Sequence, residues 1–224
     1  MNDLNHIAFI MDGNGRWGLK KKKSRNYGHL KGVKTVQKIV EASILFSVPI
    51  ISFYVFSTEN WKRPKSEINY LFNLIKIYFI KEINNIIKNN IKIVISGRLQ
   101  SLPLKIRKIL KSVVSKTKKN NKLVVNLAIN YGSRTEFIDA VKKNNYNSKK
   151  VTKENIEKNL YSDLVFPDIL VRTGGQKRLS NFMLWQLAYS EIFFLDKLWP
   201  DFTKNDLKKV IKKYHKIKRN FGGI

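Results

Sequence analysis

Six short runs of β-branched and aromatic residues recur along this chain of 224 residues, and segments of helix length separate them. The runs are 6–11, 50–56, 91–96, 123–129, 169–172 and 192–195, and helical patterns lie at 30–46, 66–89, 103–119, 133–143, 152–161 and 203–218. Because parallel strands need crossover connections, this alternation predicts an α/β fold with a mostly parallel six-stranded sheet flanked by helices. The length demands no second core, so we expect a single domain over residues 1–224.

Positive charge is the strongest bulk property of the chain. Lys and Arg number 44 against 16 Asp and Glu, which gives a net charge of +28. A basic protein of this kind is a candidate for nucleic-acid binding. The basic residues are mostly lysines spread along the whole chain, however, and the aromatic residues fall mostly within apolar runs. We therefore expect no nucleic-acid partner, while the positive field favours anionic substrates and contact with an anionic membrane surface.

Cysteine is absent, which excludes disulfides and thiolate metal sites. The first residues lack the basic start and apolar core of a signal peptide. The longest uncharged run, 42–58, contains Pro49 and several serines and is too short for a spanning helix. We expect a cytoplasmic protein, with peripheral membrane contact left open.

The helical segment 66–89 has an apolar stripe wider than one core-facing side needs. The helix is either sandwiched in the core or lines a hydrophobic tunnel along part of this stripe, and the pattern does not separate the two. Its members are Ile68, Leu71, Phe72, Leu74, Ile75, Tyr78, Phe79, Ile83, Ile86 and Ile87.

Ligands of such sheets bind beyond the carboxyl ends of the strands, so the residues after each strand are the candidates for a site. The first strand leads into Asp12-Gly13-Asn14-Gly15-Arg16-Trp17. Asp12 is able to hold Mg²⁺, the glycines let backbone amides approach phosphate oxygens, and Arg16 offers a planar fork of donors. An ordinary Asp-Gly turn is the alternative. Arg25, Gly28 and His29 then begin the first long helix and extend the anion site.

Two further strand ends concentrate polar groups. The second strand leads into Ser57, Thr58, Glu59, Asn60, Trp61, Lys62 and Arg63, which also fits a plain polar loop with Glu67 in the next helical turn. The fifth ends in Arg172, with Gly174, Gly175, Arg178 and Ser180 following, a set suited to a second diphosphate. Glu191, at the edge of the sixth strand, is a candidate metal carboxylate or a partner for a neighbouring arginine.

These residues lie in motifs that resemble the cis-prenyltransferases of the undecaprenyl diphosphate synthase type. The likeness extends over roughly residues 6–223, with the motifs in the family's order. They are "MDGNGRW", "GH" at 28–29, "FSTENWKRP", "NYGSR", "DILVRTGG", "RLSNFMLWQLAYSE" and "LWPDF". The resemblance implies a Mg²⁺-dependent enzyme that condenses isopentenyl diphosphate units onto an allylic diphosphate, such as farnesyl diphosphate. The resemblance also implies a homodimer, a hydrophobic tunnel built partly from the helix at 66–89, and a long polyprenyl product such as undecaprenyl diphosphate, with a medium-length product left open.

The resemblance also implies residue roles. Asp12 would bind Mg²⁺ and act in catalysis, Asn60 would assist proton removal, and Glu191 would be a further metal ligand reached across the subunit interface. Residues around the allylic diphosphate and the reacting centre would be Gly13, Asn14, Gly15, Arg16, Trp17, Arg25, His29, Ser57, Thr58, Glu59, Trp61 and Arg63. Residues holding isopentenyl diphosphate would be Arg172, Arg178, Leu179 and Ser180.

The chain departs from the family pattern at a few positions. After Gly174 and Gly175 the family commonly has a glutamate and then a variable residue, whereas this chain has Gln176 and Lys177. A histidine that some members offer there as an auxiliary metal ligand is absent. Asn220 directly precedes Phe221, where an arginine is usual, and Ser133 replaces a glycine. A non-catalytic partner subunit of a heteromeric enzyme is one alternative function, but Asp12 and its intact loop argue against it.

Overall fold

The computed structural model describes residues 2–143 and 151–220. Within them, six strands form one sheet: β1 His6–Ile10, β2 Ile50–Ser57, β3 Ile91–Ser96, β4 Leu123–Tyr131, β5 Ile169–Arg172 and β6 Glu191–Phe194. Their order is β3-β4-β2-β1-β5-β6, and each adjacent pair is parallel. The predicted α/β fold is confirmed, and the strands match the predicted runs to within two residues.

Seven helices accompany these strands in the described part of the chain. They are α1 Asn14–Lys20, α2 Arg25–Leu45, α3 Lys65–Lys88, α4 Leu104–Thr117, α5 Ser133–Lys143, α6 Lys153–Lys158 and α7 Lys204–Tyr214. Six correspond to predicted segments, although α2 begins five residues earlier than expected. The seventh, α1, occupies part of the predicted phosphate loop. Its two glycines are typical of a loop, so the sequence pattern does not indicate a helix there. Most of the predicted linker at 142–150, and the terminal Phe221, lie outside the described residues.

The sheet is covered on both faces, which explains why its strands are mostly apolar and do not alternate with polar residues. On one face α2, α3, α4 and α7 bury a large core that includes Phe9, Phe53 and Leu110. On the other face a smaller cluster forms around Tyr131 and Phe182, next to α5 and α6. The result is a three-layer molecule with the sheet in the middle.

A hydrogen-bonded chain of buried polar side chains crosses the sheet interior. His6 Nδ1 lies 2.5 Å from the carbonyl of Val165, so this nitrogen carries a proton and the neutral ring accepts at Nε2. The Ser52 hydroxyl therefore donates to Nε2 at 2.7 Å, and Ser52 Oγ accepts from Asn126 Nδ2 at 3.0 Å. Ser96 completes the chain by donating to Asn126 Oδ1 at 2.9 Å. These bonds satisfy polar groups that would otherwise oppose burial.

The strand order places a switch point at β1. From β1 the chain builds β2, β4 and β3 on one side, and later adds β5 and β6 on the other. Ligands of open α/β sheets bind where the order divides, at the carboxyl ends of the strands. Asp12, Ser57 and Arg172 lie at the ends of three adjacent strands, so the fold brings three of the predicted motifs to one edge. In the described residues, no helix is both long and apolar enough to traverse a bilayer.

Candidate active site

Asp12 lies just beyond β1 and joins two arginines from different parts of the chain. Its Oδ2 accepts from Arg172 Nη2 at 2.9 Å, and its Oδ1 accepts from Arg16 Nη2 at 3.1 Å. The backbone carbonyl of Asp12 accepts from Thr173 Oγ1 at 2.8 Å. Asp12 therefore ties the end of β1 to the end of β5, in addition to the pairing of the two strands.

The glycines that follow Asp12 lie in close contact with other residues, and Gly13 also has a backbone conformation that favours glycine. Gly13 has a φ of +106°, and a Cβ there would lie 2.7 Å from Leu198 Cδ2. A Cβ on Gly15 would lie 2.8 Å from the Arg25 guanidinium, so this arginine lies directly against the loop. Asn14 donates to the Met11 carbonyl, whereas its Oδ1 is buried with no hydrogen-bond partner among the described residues.

One carboxylate, Glu67 in the first turn of α3, collects three cationic or basic side chains. Arg25 donates from Nε at 3.1 Å, and His29 Nε2 and Arg63 Nη1 each lie 3.3 Å from Glu67 Oε1. Burial acts to raise the pKa of Glu67, but Arg25, Arg63 and His29 together hold it below its usual value. Burial and the charge of Arg63 lower the pKa of His29 despite the nearby Glu67. The cluster is thus an ionised carboxylate with two arginines and a neutral histidine at neutral pH.

The segment after β2 forms a 3₁₀ turn, Thr58–Lys62, capped by Ser57 and Asn60. Asn60 Oδ1 accepts a hydrogen bond from the backbone amide of Ser57 at 3.2 Å. The backbone amide of Asn60 in turn donates to the Ser57 side chain. Trp61 donates to Asn130 Oδ1 at 2.8 Å, which ties the turn to the end of β4. The capping box fixes the Asn60 side chain at the rim of the site.

The segment after β5 is organised by Arg172, which is only 3% exposed. Its Nη1 donates to Ser180 Oγ at 2.8 Å and to the backbone carbonyl of Arg178. Ser180 and Asn181 adopt positive φ angles of 50° and 63°, a costly conformation outside glycine. Gln176 Oε1 accepts from Arg178 Nη1 at 2.6 Å. The unusual Gln176 therefore orients Arg178 without adding a negative charge.

Three adjoining cavities meet at Met11, Asn14 and His29, which line all of them. The largest is a polar cavity of about 670 Å³, and its lining includes Asp12, Ser57, Glu59, Asn60, Arg63, Arg134, Arg172, Arg178 and Ser180. A smaller polar cavity of about 150 Å³ is enclosed by Asp12, Gly13, Asn14, Gly15, Arg16, Arg25, His29 and Arg63. Most of the sequence-predicted residues of both anion sites are therefore brought together, although Thr58, Trp61 and Leu179 line none of the three cavities.

The third cavity is apolar, has a volume of about 130 Å³, and extends between α2, α3 and the sheet. Leu71, Leu74, Ile75, Tyr78 and Phe79 of α3 line it. Phe79 is also part of the buried core, together with Ile68, Phe72 and Ile86. The α3 stripe thus packs in the core and also lines an apolar cavity, and Phe79 does both. The volume resembles that of a cavity able to hold a benzene molecule, about 150 Å³.

Some predicted residues lie elsewhere. Trp17 stacks on Tyr27 and donates to Asp201 Oδ1 at 2.8 Å, and it lines none of these three cavities. Glu191 begins β6, so it lies at the amino-end edge of the sheet, opposite to Asp12. There it pairs with Arg219 at 3.7 Å. Within the described residues, no group of three His, Asp or Glu side chains is arranged to hold a metal ion.

Sequence reasoning missed three residues that the structure places at the site. The sequence pattern indicates for Glu67 only a position in the first turn of the helix that follows a polar loop. Arg134, at the start of α5, lines the large polar cavity beside Arg172 and Arg178. Asn181 donates to Glu59 Oε1 at 2.8 Å and accepts from the Arg134 amide at 2.9 Å. Arg134 belongs to the "NYGSR" motif just after β4, and Asn181 directly follows Ser180 in the segment after β5. Their positions after the ends of strands were the signal in the sequence that could have placed them at the site.

Comparison with known proteins agrees with this geometry. Residues 10–222 match the family model described as "Putative undecaprenyl diphosphate synthase". The isoprenyl transferase of Fusobacterium nucleatum is 44% identical, over 98% of this chain and 96% of that protein. The chain belongs to the isoprenyl transferase family. It is accordingly a prenyltransferase that elongates cis-prenyl chains.

Two solved structures of related proteins share the fold. The crystal structure of a "probable undecaprenyl diphosphate synthase" from Campylobacter jejuni has a TM-score of 0.85 and 39% identity, covering 99% of this isoprenyl transferase and all of that chain. Lavandulyl diphosphate synthase from Lavandula x intermedia, solved in complex with dimethylallyl diphosphate, has a TM-score of 0.93 and 26% identity. The matched region covers 97% of this chain and 98% of the lavandulyl diphosphate synthase chain.

Proposed function

We propose that this isoprenyl transferase adds isopentenyl diphosphate units to an allylic diphosphate such as farnesyl diphosphate, and releases diphosphate with each new cis double bond. The observation that carries the proposal is the Asp12–Arg172 ion pair, since it joins two arginine-lined polar cavities beside an apolar one. Two anionic substrates and a growing hydrocarbon need that combination. The product is a long-chain polyprenyl diphosphate of the undecaprenyl type.

The small polar cavity is the proposed allylic diphosphate site. Arg16, Arg25 and Arg63 surround it with positive charge, and the backbone of Gly13–Gly15 lies at its wall. As the carbon–oxygen bond of the allylic substrate breaks, negative charge grows on the departing diphosphate. Fixed cationic side chains that point at this charge stabilise the transition state more than the ground state.

The large polar cavity is the proposed site of isopentenyl diphosphate. Arg172, Arg178 and Ser180 bind the diphosphate, with the side chain of Leu179 packed against the Phe182 cluster behind them. Holding the two substrates side by side makes the attack of the double bond effectively unimolecular. Asn60, held by its capping box at the rim, assists transfer of the proton from the new chain to the departing diphosphate. Glu59 lines this cavity, and Thr58 and Trp61 belong to the turn that carries Asn60.

The residues present fit a magnesium ion. Mg²⁺ commonly binds through one or two carboxylates together with substrate phosphates and water, and Asp12 supplies an oxygen ligand where both polar cavities meet. When bound, the metal would neutralise part of the diphosphate charge. Asp12 would exchange an arginine contact for this role, and Arg172 would remain anchored by Ser180 and the Arg178 carbonyl.

We further propose that the enzyme is a cytoplasmic homodimer of single-domain chains. An exposed surface around the start of β6 is apolar, with Val165 59% exposed, Tyr189 66% and Ile192 40%. Glu191 lies within this surface, too far along the sheet to join Asp12 of its own chain. A second copy docked here would cover the apolar side chains and bring Glu191 towards the partner's site.

The test is incorporation of labelled isopentenyl diphosphate with farnesyl diphosphate and Mg²⁺, with resolution of product length. Asp12→Ala should reduce elongation by at least about a thousandfold, since it removes the proposed metal ligand and frees Arg16 and Arg172. Asp163→Ala, at an exposed position away from the cavities, is the matched control and should retain wild-type activity. A folded wild-type protein that elongates none of the allylic diphosphates offered would refute the proposal.

A further inference from the structure

Helix α3 is apolar on its solvent side as well as towards the cavity. Ile77, Ile80 and Ile87 are 51%, 62% and 40% exposed, and their spacing of three and seven residues puts them on one stripe of the helix. The opposite side carries Leu71, Leu74 and Ile75, which line the apolar cavity. Single exposed isoleucines need no explanation, but an aligned row on the outer surface of a cavity wall does.

Exposed lysines surround this row. Lys76, Lys81 and Lys88 flank the isoleucines on α3, and α4, which packs beside α3, adds exposed Lys105, Lys108 and Lys111. We call these six lysines together with Ile77, Ile80 and Ile87 the α3–α4 face. The acidic residues within 65–117 are Glu67, buried in the active site, and Glu82, which is half-buried. The face is therefore both apolar and strongly positive.

Helix α7 provides an internal comparison. Its exposed side carries Lys204, Lys208, Lys209, Lys212 and Lys213, but its apolar Leu207, Val210 and Tyr214 are all buried in the core. Positive charge is thus general to the surface of this protein. Positive charge combined with an exposed row of isoleucines distinguishes the α3–α4 face from α7.

We propose that the α3–α4 face docks on an anionic lipid bilayer. Lysines near such a surface interact with its negative headgroups, and apolar side chains of an amphipathic helix enter the boundary between headgroups and acyl chains. This inference rests on the long-chain product proposed above, whose hydrocarbon belongs in a bilayer. With α3 on the membrane, one helix diameter, about 10 Å, separates the product cavity from lipid.

Vesicle co-sedimentation of the full chain tests the docking. Wild type should bind phosphatidylcholine vesicles containing phosphatidylglycerol, and bind pure phosphatidylcholine vesicles at least about tenfold more weakly. The double variant Lys81→Glu/Lys88→Glu and the double variant Ile77→Ser/Ile80→Ser should each weaken binding to anionic vesicles by about tenfold or more. The matched α7 variant, Lys208→Glu/Lys212→Glu, should change it less than threefold.

Site-specific labelling gives an independent readout, because the chain has no cysteine. Ile80→Cys and Lys208→Cys, each carrying an environment-sensitive dye, should differ on anionic vesicles. The dye at position 80 should shift to the blue and be quenched by brominated lipid, and the dye at 208 should respond to neither.

Equal loss of vesicle binding in the α3 and α7 charge variants would overturn the proposal, because it would indicate net charge alone. Equal dye responses at 80 and 208, or Ile77→Ser/Ile80→Ser binding as well as wild type, would also overturn it. Elongation in detergent is measured in parallel for every variant. Failure of the chemistry is thereby separated from failure of docking, since vesicle binding requires no catalysis.

Discussion

The carboxylate of Asp12 and the guanidinium of Arg172 form an ion pair of 2.9 Å that joins the proposed metal ligand to the proposed isopentenyl diphosphate site. Arg172 is almost fully buried and also donates to Ser180 Oγ and the Arg178 carbonyl. One guanidinium therefore positions a carboxylate, a hydroxyl and the strained segment after β5. Such a planar fork is not replaceable by a lysine ammonium.

Arg172→Lys should accordingly reduce kcat/KM for isopentenyl diphosphate by about a hundredfold, since hydrogen bonds to charged groups contribute roughly 1.5–3 kcal/mol each. Steady-state kinetics with each substrate varied in turn measures the effect. The KM for the allylic substrate should change much less. Arg107→Lys on α4, outside the cavities, serves as the control. A variant with unchanged kcat/KM for isopentenyl diphosphate would contradict the role given to the fork.

Glu67 is predicted to be a positioning residue for Arg25, His29 and Arg63. Glu67→Gln leaves two arginines close together without their shared carboxylate, so unfolding free energy should fall by about 1 kcal/mol, because both arginines are partly exposed and water screens their charges. Inorganic diphosphate should then stabilise the variant more than it stabilises wild type, because the anion replaces part of the lost charge. Thermal unfolding with and without diphosphate measures both effects. Equal stabilisation of the two proteins would show that Glu67 is structural only.

The pKa of Glu67 also predicts a dependence of stability on pH. Its pKa is lower in the folded protein than in the unfolded chain, because the hydrogen bonds of the cluster and the charges of Arg25 and Arg63 outweigh burial. A depressed carboxyl pKa contributes stability above the unfolded value, and that stability is lost as pH falls through the folded value. Glu67→Gln should therefore lose less stability than wild type on acidification below about pH 4.

His6 predicts a separate acid sensitivity at higher pH. Burial lowers its pKa from 6.5 to about 4, despite its hydrogen bond to Val165 and the nearby Asp168. Between these two pH values His6 is protonated in the unfolded chain but neutral in the folded protein. The free energy of unfolding should therefore fall by about 3 kcal/mol as pH drops from 6.5 to 4.

Denaturant titrations at several pH values measure this slope. His6→Gln should remove most of it, at some cost to stability near neutral pH because the Ser52–Asn126 chain is interrupted. His215→Gln, which leaves the buried chain intact, is the control. A slope between pH 6.5 and 4 that survives in His6→Gln would assign it to other groups.

Much of the architecture was predictable because its signals are local. Buried parallel strands are continuous apolar runs, so their positions follow from the chain alone, and strand ends point to the ligand edge. Helix α1 was missed because it has only seven residues and two glycines, which resemble a loop. Glu67 was missed for a different reason. Its importance arises from contacts with Arg25 and His29, 42 and 38 residues away in sequence, which no local pattern contains.

The α3 stripe illustrates the same limit and leads to a prediction about product length. Sequence periodicity could not assign its residues to core or tunnel, because both environments are apolar. The structure places Leu74 on the apolar cavity and Ile77, one turn later, on the solvent side. The cavity has a volume of only about 130 Å³, and the larger side chain of Leu74→Trp fills part of it. The variant should therefore obstruct the growing chain.

We expect Leu74→Trp to shorten the products by one or more isoprene units while the first condensation, which needs the least room for hydrocarbon, is slowed less than the later ones. Chromatography of dephosphorylated products from detergent assays measures the distribution. Ile77→Trp inserts the same side chain three residues away and should leave product length unchanged. Shortening by both variants would indicate a distorted helix, and shortening by neither would place the hydrocarbon elsewhere.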